Sequence, residues 1–202
     1  MKSNSKWLGI AICCIFTALL PPSARADDDC QITFSSPNVS FGWLKQDDIV
    51  NSQQGWNQMS SQEVHVSVSC PESQNIALFV QASAGEKGRF YFGNNGGLAV
   101  RVSQMIVDGK SYPIASTLDR VSFAPNDSAL DRVSFAPNDS ALDSLLLHNN
   151  NGIIAMDNNQ QVSGKMMNVT LTLTPVLNDN QFTHSTDTVM LESNLQWEVL
   201  TK

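Results

Sequence analysis

The stretch VHVSVSC, residues 64–70, alternates apolar and polar side chains and ends in a cysteine. Successive residues of a β-strand point to opposite faces, so this stretch predicts a strand with its valines and Cys70 on one apolar face. A second stretch, CQITF at residues 30–34, shows the same alternation and begins with a cysteine. Both cysteines fall on the apolar parity, and we expect both sulfur atoms to face the same core.

The first 26 residues have the features of a removable signal peptide. Lys2 and Lys6 give a positive start, an apolar run without charge follows over residues 7–20, and Ala24-Arg25-Ala26 matches the small-residue pattern of cleavage sites. The alternative is a transmembrane anchor, but 14 apolar residues fall short of the about 20 that span a bilayer. The sequence therefore predicts export and a mature domain of residues 27–202.

Cys13 and Cys14 leave with the predicted signal peptide, so the mature chain keeps Cys30 and Cys70. An even pair of cysteines in an exported chain is expected to be oxidised. A disulfide that closes a loop of about 40 residues stabilises a fold by roughly 4 kcal/mol in the chain-entropy model. The alternative is a pair of free thiols. We predict a Cys30–Cys70 disulfide.

The mature segment is acidic and has the size of one domain. Its 176 residues are enough to bury one hydrophobic core. Nine Lys and Arg residues remain in it against 19 Asp and Glu, a net charge of −10. A chain of this charge is a poor partner for nucleic acids and for anionic membrane surfaces.

A period of two recurs along the mature chain, and no mature segment shows a sustained helical repeat. The apolar positions of the predicted strands are Val39, Phe41 and Trp43; Ile76 to Val80; Leu98, Val100 and Val102; Met167, Val169, Leu171 and Leu173; and Val189, Leu191, Leu195, Trp197 and Val199. Asp108-Gly109 predicts a hairpin, since both residues tolerate positive φ. Many short strands with frequent turns indicate an all-β fold, a β-sandwich. Trp43 and Trp197 are expected in its core.

The twelve residues DRVSFAPNDSAL, 119–130, are repeated without a change at 131–142. Twelve consecutive identities indicate a segmental duplication, although two such copies fall short of a stacking array. The simpler interpretation is a tolerated surface insertion, because lengthening a loop costs little closure entropy. Deletion of one copy should then leave stability nearly unchanged. The alternative is an exposed hairpin that contacts a partner through Val121, Phe123, Val133 and Phe135.

The sequence offers little for catalysis or metal binding. It contains no G-x-S-x-G, H-E-x-x-H, P-loop or C-x-x-C pattern. His65, His148 and His184 are 36 or more residues apart, and His65 lies on the polar parity of its strand. Asp27-Asp28-Asp29 lacks the alternating spacing and the glycine of a calcium loop. We therefore predict no catalytic residue, no metal site and no cofactor, and an exported enzyme is kept only as a minor alternative.

Taken in order, these features resemble a pilin of the chaperone–usher pathway. They are the signal peptide, Cys30 opening the first strand, Cys70 closing a strand about 40 residues later, and two final alternating strands at 169–174 and 189–199. The resemblance covers residues 27–202. It implies a non-catalytic fimbrial subunit that is exported through the periplasm to the cell surface.

The resemblance also implies an immunoglobulin-like sandwich that lacks its seventh strand. In that family the gap leaves an apolar groove beside the final strand, which a periplasmic chaperone fills first and the next subunit fills later by β-augmentation. The implied partners are that chaperone, the outer-membrane usher, other pilus subunits and, for an adhesive subunit, a host receptor. The implied groove edge consists of Val189, Leu191, Leu195, Trp197 and Val199.

The sequence departs from the family at both ends of the mature domain. Only Asp27-Asp28-Asp29 lies between the predicted cleavage site and Cys30, where polymerising pilins carry about a dozen or more alternating residues as a donor strand. Trp197 is the aromatic nearest to Lys202, whereas the family often has an aromatic next to last. We therefore expect a minor or tip-located subunit that accepts a donor strand and contributes to pilus assembly and cell adhesion. The alternative is a self-contained periplasmic or secreted β-sandwich binding module.

Overall fold

The computed structural model describes residues 29–93, 96–125, 144–182 and 191–202, and these residues form an all-β fold. The predicted signal peptide lies outside the described residues. Within the described ranges there is no α-helix, and no helix is long and apolar enough to span a membrane. The strands are β1 (Gln31–Phe34), β2 (Ile49–Gln53), β3 (Trp56–Met59), β4 (Gln62–Gln81), β5 (Phe90–Phe92), β6 (Gly96–Val107), β7 (Lys110–Ser111), β8 (Ile114–Thr117), β9 (Ser144–Leu147), β10 (Gly152–Asp157), β11 (Gln160–Gln161), β12 (Ser163–Asn178) and β13 (Gln196–Thr201).

β4 connects all parts of the sheet arrangement. Its first half pairs with β12 on one edge and with β1 on the other. Its second half pairs with β10 and β13, so Phe79 lies between Gly152 and Glu198. The stretches 64–70 and 76–80, expected as separate strands, are therefore two halves of one strand of 20 residues. β12 continues the first layer by pairing with β6 and β3.

β4 bends between its halves and places them in two facing layers. Phe34 lies beside Val66 in one half, and Trp197 lies beside Val80 in the other. A straight strand would separate these two valines by about 46 Å. The rings of Phe34 and Trp197 are nevertheless only 6.0 Å apart between centroids. The fold is therefore sandwich-like, with its core between the two layers.

The core contains most of the alternating apolar residues that the sequence predicts. The polar residues between them face outward, as His65 does on the exposed side of β4. This parity is what a pleated strand with one buried face produces. The predicted apolar positions of the main core that are at most 6% exposed are Val64, Val66, Val68, Cys70, Ile76, Leu78, Val80, Leu98, Val100, Val102, Met167, Val169, Leu171 and Leu173.

The predicted disulfide between Cys30 and Cys70 is confirmed. Their sulfur atoms are bonded, and their Cα atoms are 4.2 Å apart. Cys30 immediately precedes β1, which pairs only with β4 among the described strands. The bond therefore fixes the beginning of β1 to the middle of β4.

The predicted strand through Val39, Phe41 and Trp43 is wrong. Residues 35–45 contain no strand, and Trp43 is 76% exposed, whereas Val39 and Phe41 pack against the core. Gly42 has a φ of +64°, a left-handed conformation that turns the backbone and ends the alternation before Trp43. Trp43, which was expected in the core, is a surface residue.

The Asp108-Gly109 turn forms the predicted hairpin. Val107 pairs with Lys110 across it, and Asp108 and Gly109 have φ values of +47° and +82°, the signs that a type I′ turn requires. The Asp108 carboxylate also reaches β12, where one oxygen accepts hydrogen bonds from the backbone N–H groups of Lys165 at 3.0 Å and Met166 at 2.8 Å. The turn thereby holds β12 at the point where its register shifts.

Replacing Asp108 by alanine is expected to lower the free energy of unfolding by about 1–2 kcal/mol. The change removes the acceptor for two backbone donors and leaves alanine in a left-handed conformation that it disfavours. Asp108→Asn is the matched control, because it keeps one acceptor oxygen and tolerates positive φ. Urea unfolding of both variants measures the difference, and equal losses would contradict the role of the acceptor.

Candidate functional site

β13 is an edge strand, since among the described strands it pairs only with β4. Just beyond its end, Asn75 and Lys202 exchange both backbone hydrogen bonds, at 2.8 and 3.1 Å. In an antiparallel ladder, such pairs alternate with residues whose backbone groups point away from the partner strand. The N–H and C=O groups of Trp197, Val199 and Thr201 therefore point away from β4. These are the groups to which an added strand would bond.

Among the strands that the structure describes, β1 is a second edge strand at the same side of the molecule. The Ser35 N–H donates to the His65 carbonyl at 2.9 Å, so by the same alternation the backbone groups of Ile32 and Phe34 point away from β4. β12 pairs with β4 at Ser69 and again at Asn75. β1 and β13 therefore both lie on the edge of β4 opposite β12, one in each layer.

The side chains of these two strands that face the core are apolar. Ile32, Phe34, Trp197 and Val199 pack against the core cluster but are only partly buried. Their cross-strand neighbours in β4 are at most 1% exposed. The difference arises because β4 has a strand on both sides, whereas β1 and β13 each have one such neighbour among the described strands. We call this surface, formed by β1 and β13, the open rim.

The open rim has the two properties that strand addition requires. Outward N–H and C=O groups supply main-chain hydrogen bonds, and partly exposed apolar side chains supply area that an alternating peptide would cover. An unpaired edge of this kind is also a template for aggregation. The geometry therefore favours a surface that a partner strand covers.

The groove edge predicted from the sequence lies partly in β13. Trp197 and Val199 are in the strand and face the core, as expected. Leu191 and Leu195 also pack against the core, but residues 191–195 contain no strand, so the predicted strand from Val189 is wrong in this part. The Glu192 carbonyl accepts a hydrogen bond from Gly93 at 3.2 Å, which ties this segment to another part of the chain. Val189 lies outside the described residues.

Sequence reasoning missed β1 as the second wall of the site. The signal was present in CQITF, whose alternation places Ile32 and Phe34 on the same face as Cys30. Nothing in the sequence shows that this strand lies beside Trp197, because their contact depends on the bend in β4. The position of β1 beside β13 therefore follows from the three-dimensional structure and not from the sequence.

The described part of the first copy, residues 119–125, lies largely at the surface, as expected, but one of its apolar residues is buried. Val121 is 78% exposed, but Phe123 is only 2% exposed. Its ring packs on Phe79, with 6.4 Å between centroids, on the outer face of the second layer. The predicted exposure of Phe123 is therefore wrong, because Phe79 offers an apolar surface on that face. Val133 and Phe135 lie outside the described residues.

The part of the chain that the structure describes shows no group of three or more His, Cys, Asp or Glu side chains that could hold a metal ion. His65 lies on the surface, where its Nδ1 is 3.1 Å from the Thr170 hydroxyl. His148 is partly buried, with its Nδ1 3.0 Å from the Gly88 carbonyl. His184 lies outside the described residues.

No protein-family model matches the chain, and no curated protein is significantly similar to it. The open rim and the disulfide that fixes β1 are therefore the observations that bear on function.

Proposed function

We propose that the protein is a non-catalytic fimbrial subunit of the chaperone–usher pathway that accepts a donor strand along β13. The observation that supports this proposal is that β13 pairs only with β4 among the described strands, while Trp197, Val199 and Thr201 direct their backbone groups away from β4. Trp197 and Val199 also keep part of their apolar surface exposed. A donor strand with alternating apolar residues would form the hydrogen bonds and cover that surface in one step.

In this proposal the fold is an immunoglobulin-like sandwich whose last strand comes from a partner. The first partner is a periplasmic fimbrial chaperone, and another pilus subunit replaces it at the outer-membrane usher. The assembled protein lies in the fimbrium at the cell surface and contributes to adhesion. The disulfide supports the proposal because it fixes β1 opposite β13 and so keeps the rim in place for the partner.

A donor-strand peptide or a fimbrial chaperone is expected to raise the thermal stability of the oxidised protein. A ligand at 100 times its Kd stabilises the folded state by about 2.7 kcal/mol. For a domain of this size, that corresponds to a rise in Tm of about 5–10 °C. The measurement is thermal unfolding with and without a co-expressed chaperone, together with co-purification of the complex. A peptide of the same composition with its alternation scrambled is the control.

The second candidate function is a self-contained periplasmic or secreted β-sandwich binding module. The contact between Phe34 and Trp197 favours it, because two rings 6.0 Å apart partly close the core without an added strand. This candidate predicts a soluble monomer that unfolds cooperatively alone and recruits no chaperone. Recovery of such a monomer, with no chaperone complex, would reject the fimbrial proposal.

A further inference from the structure

Residues 119–125 follow β8 and cross the outer face of the second layer; we call this segment the strap. The strands of that layer lie in the order β8, β10, β4 and β13, so β8 and β13 are its opposite edges among the described strands. Three strand spacings, about 14 Å in all, separate these two edges. Phe123 of the strap belongs to an apolar cluster that draws on all four strands, with Ala115 from β8, Ile154 and Met156 from β10, Ala77 and Phe79 from β4, and Leu200 from β13.

The strap is anchored to β8 by Thr117, a residue that is 0% exposed. The Thr117 hydroxyl accepts a hydrogen bond from the Asp119 N–H at 3.1 Å and donates to the Ala124 carbonyl at 2.7 Å. Thr117 also forms an isolated β-bridge with Pro125. Both ends of the strap are therefore held at one buried residue of β8.

The strap holds its own turn with local hydrogen bonds. The Asp119 carboxylate accepts from the backbone N–H groups of Val121 at 2.8 Å and Ser122 at 2.9 Å, and also from the Ser122 hydroxyl. These bonds, that of the Ser122 hydroxyl first, lower the pKa of Asp119 to about 2, so the carboxylate stays ionised at neutral pH. The Phe123 N–H donates to the Asp119 carbonyl at 3.1 Å. The turn therefore has a defined shape, which carries Arg120 and Phe123.

The strap contacts three alternate residues at the end of the chain, all on the outer face. Arg120 forms an ion pair with Glu198. Leu200 packs in the same apolar cluster as Phe123. The Lys202 ammonium lies 4.9 Å from the centre of the Phe123 ring. The strap thus holds β13 through its side chains on one face, whereas the outward N–H and C=O groups of β13 lie along its edge.

An edge strand that one ladder holds opens locally more easily than a strand with neighbours on both sides. A further strand along β13 would prevent this opening, but it would also use the backbone groups that a partner needs. We propose that the strap keeps β13 ordered from its outer face, with Arg120 and Phe123 as positioning residues, and leaves the outward backbone groups of β13 to a partner strand. The benefit to a partner rests on the proposed function, whereas the anchoring of β13 does not.

Thr117→Val tests the strap without changing β13. The substitution keeps the shape of the buried side chain and removes the hydroxyl that holds the strap. The amides of Glu198 and Leu200 are expected to lose about 10-fold in protection from hydrogen exchange, while the amides of β6 in the first layer keep theirs. Thr174→Val is the matched control, because it removes a strand hydroxyl that lies 2.8 Å from the Ser61 hydroxyl in the first layer. It should leave the β13 amides unchanged.

Glu198→Gln is a second variant that preserves folding, because the ion pair with Arg120 is at the surface, with side chains 36% and 51% exposed. At low salt the protection of the Leu200 amide is expected to fall about threefold. In 1 M salt the difference from wild type should vanish, since the Debye length is then about 3 Å. An equal effect at both salt concentrations would overturn the role of Arg120. The strap proposal is overturned if Thr117→Val leaves the protection of the β13 amides unchanged or lowers it no more than that of the β6 amides.

A peptide of about a dozen alternating apolar and polar residues separates this proposal from the proposed function. If the peptide adds along β13 of the wild-type protein, it should protect the amides of Trp197 and Val199, which point away from β4. Protection of neither amide, together with a β13 that Thr117→Val still loosens, would support the strap and count against the proposed function. Protection of both amides, with β13 unaffected by Thr117→Val, would overturn the strap and support the proposed function.

Discussion

Removal of the Cys30–Cys70 disulfide is expected to lower the free energy of unfolding by about 4 kcal/mol. The bond joins residues 40 positions apart, so its loss restores much conformational freedom to the unfolded chain. The variant is Cys30→Ser with Cys70→Ser, and urea unfolding at constant pH is the measurement. Reduced wild-type protein is the matched control and should unfold at the same midpoint as the variant.

The same variant is expected to release β1 before the rest of the fold opens. β1 has four residues and pairs only with β4 among the described strands, so little besides the disulfide holds its beginning. The Ser35 amide, which donates to His65, should lose protection from hydrogen exchange, whereas amides of β12 should keep theirs. Unchanged protection of Ser35, or a stability loss below about 1 kcal/mol, would contradict this role of the bond.

The parity of the strands could be predicted from the sequence because each buried face imposes a period of two. VHVSVSC shows this directly, since its valines and Cys70 are buried and His65 is exposed. The disulfide could also be predicted, because it needed only two cysteines on the apolar parity of an exported chain. The bend in β4 could not be predicted, because residues 71–75 have the composition of an ordinary turn between two separate strands.

The packing of Phe123 on Phe79 could be predicted from the sequence only in part. The run Ile76–Val80 is apolar on both parities, so Ala77 and Phe79 needed a cover on the face opposite the core. Phe123 supplies that cover from a segment rich in Pro, Asn and Asp that looks like a loop. A continuous apolar run predicts burial on both faces, but it does not say which distant segment provides the second contact.

Substituting proline for Val199 is expected to weaken donor-strand binding about 100-fold, a loss of about 2.7 kcal/mol. The Val199 N–H points away from β4, so the change removes an outward donor of β13 without removing a hydrogen bond between the described strands. The incoming strand would lose that bond, keep an unpaired carbonyl and meet the proline ring. The measurement is the affinity of the donor peptide or chaperone, with thermal unfolding of the free protein as the check on folding.

Glu198→Pro is the matched control, because its N–H points the other way. Glu198 forms a bonded pair with Phe79 in β4, so proline there breaks the internal ladder and is expected to cost about 2–4 kcal/mol of folding stability. Val199→Pro should therefore lose binding with little loss of stability, and Glu198→Pro should lose stability. If Val199→Pro keeps full affinity while Ile32→Pro loses it, the partner strand is added along β1 and the proposed role of β13 is wrong. If neither substitution affects binding, the open rim is not the binding surface.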